Sequence, residues 1–67
     1  MIDVTLNGER RTVADGTTVD LVVARLERGR AGVAVAVNGD VVPRSRWAAT
    51  TLAADDRVEV LAAAQGG

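Results

Sequence analysis

The sequence predicts an α+β roll, in which a mixed sheet of four to five strands packs on one helix. Several short segments alternate between apolar and polar residues, which is the period-two pattern of half-buried strands. Another segment carries its apolar residues at helical spacing, and two Asn-Gly dipeptides mark tight hairpin turns. The elements therefore follow the order strand, strand, helix, strand, strand, strand (ββαβββ) in one domain of 67 residues.

The first two strands form a hairpin around Asn7-Gly8. Before this turn, the apolar residues Ile2, Val4 and Leu6 alternate with polar ones. A two-residue type I′ turn needs positive φ at both central positions, and Asn and Gly adopt such angles most easily. The second strand, residues 9–13, is therefore expected to pair back on the first.

The helix comes next, after the loop that ends at Gly16. Its apolar stripe has the spacing i, i+3, i+4 and i+7 and consists of Val19, Val22, Val23 and Leu26. The hydroxyl of Thr17 or Thr18 is expected to cap the first turn, and Gly29 suits the position that follows a helix. These signals predict about three turns, held by packing because Val has only a modest helix propensity.

The third strand begins at Val33 and has two different faces. Its valines face one side, whereas the small side chains of Ala34 and Ala36 face the other. Asn38-Gly39 predicts a second hairpin, leading into a fourth strand at residues 41–42. Because Pro43 cannot donate a ladder hydrogen bond, this strand is expected to be short and to lie at an edge of the sheet.

The last part of the chain contains one more strand and a tail. One helical turn is expected after Pro43, and Asp55-Asp56 make the turn before the final strand, residues 57–61. In that strand the valines point inward and Leu61 points outward. Residues 1–61 are thus the predicted domain, and residues 62–67 are a flexible C-terminal tail that ends in Gly-Gly.

Composition excludes several classes of function. The chain has nine acidic and eight basic residues, all of the latter Arg, and one aromatic residue, Trp47, which disfavours a nucleic-acid partner. It contains no His, Cys, Lys or Tyr, so catalysis by the chain itself and a metal site are both disfavoured. No signal peptide and no apolar run long enough to span a membrane can be recognised. A soluble cytoplasmic protein is the expectation.

The terminal Gly66-Gly67 has a plain and a chemical interpretation. Small residues at a fraying chain end are common. A free α-carboxyl group, however, has a pKa of about 3.5, so Gly67 is an anionic nucleophile at neutral pH. Its carboxylate could attack the α-phosphate of ATP, and two residues without Cβ can enter a narrow channel. The tail would then be the substrate of another enzyme.

The stretch VNGDVVPRSRW, the earlier hairpin VTLNGE and the terminal Gly-Gly together resemble the ThiS family of thiamine-biosynthesis sulfur carriers. The resemblance extends over the whole chain and implies the ubiquitin-like β-grasp fold. It implies that an activating enzyme resembling ThiF uses ATP and Mg to adenylate Gly67, while the carrier itself binds no cofactor. It further implies that Gly67 becomes a thiocarboxylate, with sulfur from a cysteine desulfurase, and that a thiazole synthase resembling ThiG accepts this sulfur. Gly66 and Gln65 would thread into the partner's site.

Two features depart from the family pattern. The usual Gly-Asp of the last turn is Asp55-Asp56 here, which is expected to alter only the turn type. The segment AAAQ at residues 62–65 is smaller and more polar than the usual apolar tail, so its contact with a partner is expected to be weaker.

The candidate partner surface lies on the open face of the sheet. Ala34, Ala36 and Leu61 are expected to form a mild apolar patch near the root of the tail, where an activating enzyme would dock. Arg44 is a further candidate contact, although a solvated loop is the favoured interpretation of Arg44 and Arg46. Trp47 is interpreted as a core residue rather than a partner anchor, because this small domain needs its volume.

Other functions with the same ending stay open. A ubiquitin-like modifier would join Gly67 to a lysine of a target protein, and the absence of Lys in this chain mildly disfavours it. An interaction module, such as the small subunit of molybdopterin synthase, shares the fold and the Gly-Gly ending. A sulfur carrier of another pathway, supplying molybdopterin, cysteine or a specialised metabolite, would also fit. The short chain and the PRSRW segment favour the thiamine carrier.

Overall fold

The computed structural model describes residues 1–26 and 32–62, which form a five-stranded mixed sheet with one α-helix on one face. In chain order the elements are β1 (Ile2–Leu6), β2 (Glu9–Val13), α1 (Val19–Arg25), β3 (Val33–Val37), β4 (Asp40–Val42), a 3-10 helix (Arg44–Ala49) and β5 (Arg57–Ala62). The predicted α+β class and the ββαβββ order are both confirmed, and the sheet has the larger of the two predicted strand numbers.

The last strand of the sequence is the central strand of the sheet. The strand order is β2-β1-β5-β3-β4, with β5 parallel to β1 and antiparallel to β3. Both outer pairs, β1 with β2 and β3 with β4, are antiparallel hairpins. The two hairpins therefore lie on either side of β5, and everything that follows β5 leaves from the middle of the sheet.

Both hairpin turns have the predicted conformation. Asn7 and Gly8 have φ of 50° and 86°, and Asn38 and Gly39 have φ of 53° and 87°. Positive φ at both central positions is the property of the type I′ turn, whose twist matches that of the flanking strands. Local chemistry alone therefore fixes the register of both hairpins.

The helix is shorter than predicted and is capped differently. It comprises seven residues, which is about two turns. It ends early because the amide of Leu26 donates to the carbonyl of Val23 at 3.1 Å, an i to i−3 bond that tightens the last turn. Thr18 occupies the N-cap position, but its hydroxyl bonds to the carboxylate of Asp20 and caps no amide. The predicted C-terminal Gly29 lies outside the described residues.

The region around Pro43 agrees with the prediction. Strand β4 has three residues and lies at the edge of the sheet, as expected for a strand that meets a proline. Pro43 is the N-cap of the 3-10 helix, which supplies the predicted helical turn. Within residues 1–26 and 32–62, neither helix has the length and apolar character that crossing a membrane requires.

The hydrophobic core lies between the sheet and α1 and consists of small aliphatic side chains around one tryptophan. The buried members are Val4, Val19, Val22, Val23, Val35, Trp47, Leu52, Val58 and Val60. Trp47 is 3% exposed, and its indole Nε1 donates a hydrogen bond to the carbonyl of Val42 at 2.9 Å. The interpretation of Trp47 as a core residue is therefore confirmed.

The turn before β5 contains the adjacent residues Asp55 and Asp56, which have different roles. Asp55 has φ of 69°, the left-handed region where glycine is usual and where Asp is among the better tolerated side chains. The carboxylate of Asp56 accepts bonds from the amide of Ala53 at 2.7 Å and from Asn38 Nδ2 at 2.9 Å. Asp55 thus adopts a backbone conformation that is usual for glycine, and Asp56 ties this turn to the second hairpin.

Candidate functional site

The root of the C-terminal tail is the end of the central strand. Strand β5 continues to Ala62, one residue beyond its predicted end, and Ala62 pairs with Val33 of β3. Gln65, Gly66 and Gly67, the predicted threading and reacting residues, lie outside the described residues. The structure therefore describes where the tail starts and which surfaces surround that point.

The two sides of this root are held differently. On the β3 side, backbone pairing runs from Val37 opposite Val58 to Val33 opposite Ala62. On the β1 side, regular pairing ends at Leu6 opposite Val58. Beyond that point the side chain of Asn7 bonds to the peptide groups of Val60, with Nδ2 3.2 Å from the carbonyl oxygen and Oδ1 2.8 Å from the amide nitrogen. Sequence reasoning missed this role, because the two residues are 53 positions apart.

The predicted apolar residues share the open face of the sheet. Ala34 lies directly opposite Leu61, and Ala36 lies directly opposite Val41, so side-chain alternation brings all four to the same side. Leu61 is 64% exposed and Val41 is 74% exposed. These four residues are called the apolar patch below. Val41 was missed, although the two-residue hairpin turn already pairs position 41 with Ala36.

The other half of the open face is polar. On β1 and β2, the Thr12 hydroxyl donates to the carboxylate of Asp3 at 2.8 Å, and Arg10 lies 3.6 Å from Asp3 and 3.4 Å from Asp55. These ion pairs are exposed, so each contributes little to stability. The apolar patch is thus confined to the β5, β3 and β4 half, beside the end of β5, where the exposed Glu59 also faces this side, opposite Ala36.

Arg44 lies in the 3-10 helix and is not one of the residues that strand pairing brings to the open face. Its guanidinium carbon is 5.7 Å from the centre of the Trp47 ring, which is a cation–π contact. The side chain is exposed on its outer side, as is that of Arg46. Arg44 therefore covers the tryptophan, and it stays only a candidate partner contact.

A cavity of about 110 Å³ lies between α1 and the first hairpin. Its lining is aliphatic, with side chains from β1, β2, α1 and β5, together with Thr12, Arg11 and Arg25. This lining offers no carboxylate or imidazole that could transfer protons. In residues 1–26 and 32–62, no three acidic, histidine or cysteine side chains cluster to hold a metal ion, and the pair Asp55-Asp56 binds protein groups instead.

Comparison with known proteins gives one consistent result. The ThiS family model matches residues 4–67. The sulfur carrier protein ThiS of Escherichia coli (strain K12) is 29% identical over 66 residues, covering 98% of this chain and 100% of that protein. The crystal structure of the thiamine biosynthesis protein ThiS from Geobacter metallireducens is 35% identical, with a TM-score of 0.81 and coverage of 98% of this chain and 100% of that one. A solution structure of a thiamine biosynthesis protein from the same organism has a TM-score of 0.79 at 35% identity, covering 98% and 88%.

These similarities confirm the β-grasp fold and the resemblance that rests on VNGDVVPRSRW and the terminal glycines. The family model extends to Gly67, so the tail belongs to the matched region although the structure does not describe it. Proteins of this kind are small carriers and not enzymes. The chain therefore belongs to the ThiS family, the sulfur carrier proteins of thiamine biosynthesis.

Proposed function

We propose that the reacting group of this carrier is the α-carboxylate of Gly67. An activating enzyme that resembles ThiF uses ATP and Mg, the carboxylate oxygen attacks the α-phosphorus, and pyrophosphate leaves. A desulfurase takes the sulfur of cysteine as a persulfide, whose outer sulfur attacks the carbonyl carbon of the adenylate and forms a C–S bond as AMP departs. A thiol then attacks the inner sulfur of the resulting acyl disulfide, which breaks the S–S bond, releases the thiocarboxylate and leaves the thiol in a disulfide. The resulting thiocarboxylate supplies its sulfur to a thiazole synthase that resembles ThiG.

The observation that carries this proposal is the place where the tail begins. The tail follows the central strand, which pairs with β3 as far as Ala62 and is held on its other side by Asn7 at Val60. A chain that leaves a rigid sheet has fewer conformations to lose when it enters a partner's site. Family membership supports the same chemistry, because the relative in Escherichia coli is named as a sulfur carrier.

The apolar patch is the surface that we propose for docking the activating enzyme. It lies on the same face as Leu61, one residue before the end of β5, so a partner seated there is beside the tail. Ala34 and Ala36 carry small side chains, which lets a partner approach the sheet backbone closely. The exposed side chains of Leu61 and Val41 supply most of the apolar area that such contact would remove from water.

Adding charge to the patch tests both docking and activation. Activation is measured as ATP–pyrophosphate exchange by the activating enzyme at increasing carrier concentration. In Leu61→Asp a carboxylate would be buried at the interface, so we expect KM for the carrier to rise by about tenfold or more, with a similar effect for Val41→Asp.

Leu21→Asp is the matched control. Leu21 is 52% exposed on α1, and its substitution adds the same charge to a helix on the other side of the sheet. We expect its KM to stay within about twofold of the wild-type value, because Leu21 lies away from the apolar patch and substitutions at exposed positions usually cost little. Equal KM values for all three variants and the wild type would contradict docking at the patch. If the wild-type carrier supports no ATP–pyrophosphate exchange, activation itself is contradicted.

A further inference from the structure

The Asn7 side chain extends the sheet where the backbone of β1 has already turned away. The backbone amide of Asn7 donates to the carbonyl of Val58 at 2.9 Å, as the parallel ladder requires. At the next step along β5, the Val60 amide donates to Asn7 Oδ1 at 2.8 Å, and Asn7 Nδ2 donates to the Val60 carbonyl at 3.2 Å.

A carboxamide can do this because it carries the same donor and acceptor as a peptide group. The chain reverses at Asn7-Gly8, so no further backbone of β1 faces Val60. Without the carboxamide, the peptide groups of Val60 that face β1 would have no protein partner there. One side chain therefore prolongs the pairing of β5 by one step toward the tail.

The second hairpin offers a direct comparison. Asn38 has nearly the same φ as Asn7 and also bonds to β5 through its side chain, but at the opposite end. Its Oδ1 accepts from the Arg57 amide at 2.9 Å, and its Nδ2 donates to Asp56 at 2.9 Å. Asn38 thus holds the start of the central strand, and Asn7 holds Val60, near the end from which the tail leaves.

We propose that Asn7 is a positioning residue for activation of the C-terminus. It holds Val60, two residues before the end of β5, and thereby restrains the direction in which the strand leads into the tail. This inference rests on the proposed function, because a correctly directed tail matters only when Gly67 enters the activating enzyme. Asn7 is not part of the apolar patch, so its loss leaves docking unchanged and lowers the fraction of docked carriers whose tail is placed to react.

The structural part of the inference is tested on the carrier alone. Asn7→Gly keeps a residue that readily adopts positive φ but removes the carboxamide, and Asn38→Gly does the same at the other turn. By NMR, we expect amide hydrogen exchange of Val60 to accelerate about tenfold in Asn7→Gly and to stay near the wild-type rate in Asn38→Gly. Equal rates at Val60 in the two variants would overturn the inference.

The functional part is tested by pyrophosphate exchange with the activating enzyme. We expect kcat to fall by about three- to tenfold in Asn7→Gly, with KM for the carrier within about twofold of wild type, and neither constant to change in Asn38→Gly. A general loss of stability would affect both variants. An unchanged kcat in Asn7→Gly, or an equal fall in Asn38→Gly, would overturn the positioning role.

The two arms separate this inference from the function on which it rests. If the wild-type carrier supports no pyrophosphate exchange, the proposed activation fails. The hydrogen-exchange rate of the Val60 amide then decides alone whether Asn7 holds the root of the tail.

Asn7→Asp tests the two bonds of the carboxamide separately. Its carboxylate can accept from the Val60 amide but cannot donate to the carbonyl, so we expect partial rescue of kcat relative to Asn7→Gly.

Discussion

Deletion of Gly66 and Gly67 is expected to abolish the carrier's function in thiamine biosynthesis while leaving the folded domain intact. The proposed nucleophile is the terminal carboxylate, and two residues without side chains are what a narrow catalytic channel admits. The measurement is growth of a bacterial strain that lacks its own carrier gene and is given the truncated gene without added thiamine. We expect no growth, whereas the full-length gene restores it.

The control for this deletion is the stability of the domain. All nine buried core residues of the described chain lie between Val4 and Val60, so the free energy of unfolding should not change. Growth supported by the truncated chain would contradict every function that uses the tail, including conjugation to a lysine, and would leave only an interaction role. A truncated chain that fails to fold would be recognised by its unfolding curve, and Gly67→Ala then serves as the second variant.

Replacing the core tryptophan is expected to have the largest effect on stability. Trp47→Ala removes the largest side chain of a core otherwise built from Val and Leu, and it leaves a cavity under the 3-10 helix. Such truncations cost about 3–5 kcal/mol. A domain of this size has only about 3–10 kcal/mol of stability, so we expect Trp47→Ala to be mostly unfolded. The measurement is urea denaturation followed by circular dichroism.

Trp47→Phe separates the volume of this side chain from its hydrogen bond. It keeps an aromatic ring but leaves the carbonyl of Val42 without the indole donor, which should cost about 1–3 kcal/mol. Fluorescence cannot follow either variant, because Trp47 is the only aromatic residue of the chain. A loss below about 1 kcal/mol in Trp47→Ala would contradict the core role, since that figure is typical of surface positions.

The parts of this fold that could be predicted are those decided by neighbouring residues. Asn7-Gly8 and Asn38-Gly39 give type I′ turns because positive φ is a local property, and Pro43 places β4 at an edge because it lacks an amide donor. The inward and outward faces of β3 and β5 follow from strict alternation. For the same reason, the positions of Ala34 and Leu61 on the open face could be predicted.

Features that depend on distant parts of the chain could not be predicted. The central position of β5 and its parallel pairing with β1 join opposite ends of the sequence, and nothing local specifies them. The bonds of Asn7 to Val60 are of the same kind. The apolar stripe predicted a helix of about three turns, but α1 ends at Arg25. There the amide of Leu26 bonds to the carbonyl of Val23 and tightens the last turn, which the stripe does not reveal.

The proposed chemistry of the tail rests on the family resemblance and on the ionisation of a free carboxyl group. The structure describes the residues that surround the start of the tail. The tail starts at the central strand, beside the apolar patch and next to the Asn7 carboxamide. Val41 enlarges the patch beyond the predicted residues. The proposed site is therefore a fixed tail root with a docking surface beside it, and the reacting atoms are those of Gly67.

The most direct test is mass spectrometry of the C-terminal peptide from carrier that was expressed in cells making thiamine. We predict that one oxygen of Gly67 is replaced by sulfur and that an alkylating reagent traps the product. The increase in mass that this replacement causes must be localised to the peptide that contains Gly67, because oxidation of Met1 or Trp47 gives a similar mass change elsewhere. A Gly67 that stays a plain carboxylate, even with ATP, the activating enzyme and a sulfur donor supplied, would contradict the sulfur-carrier chemistry proposed for this tail.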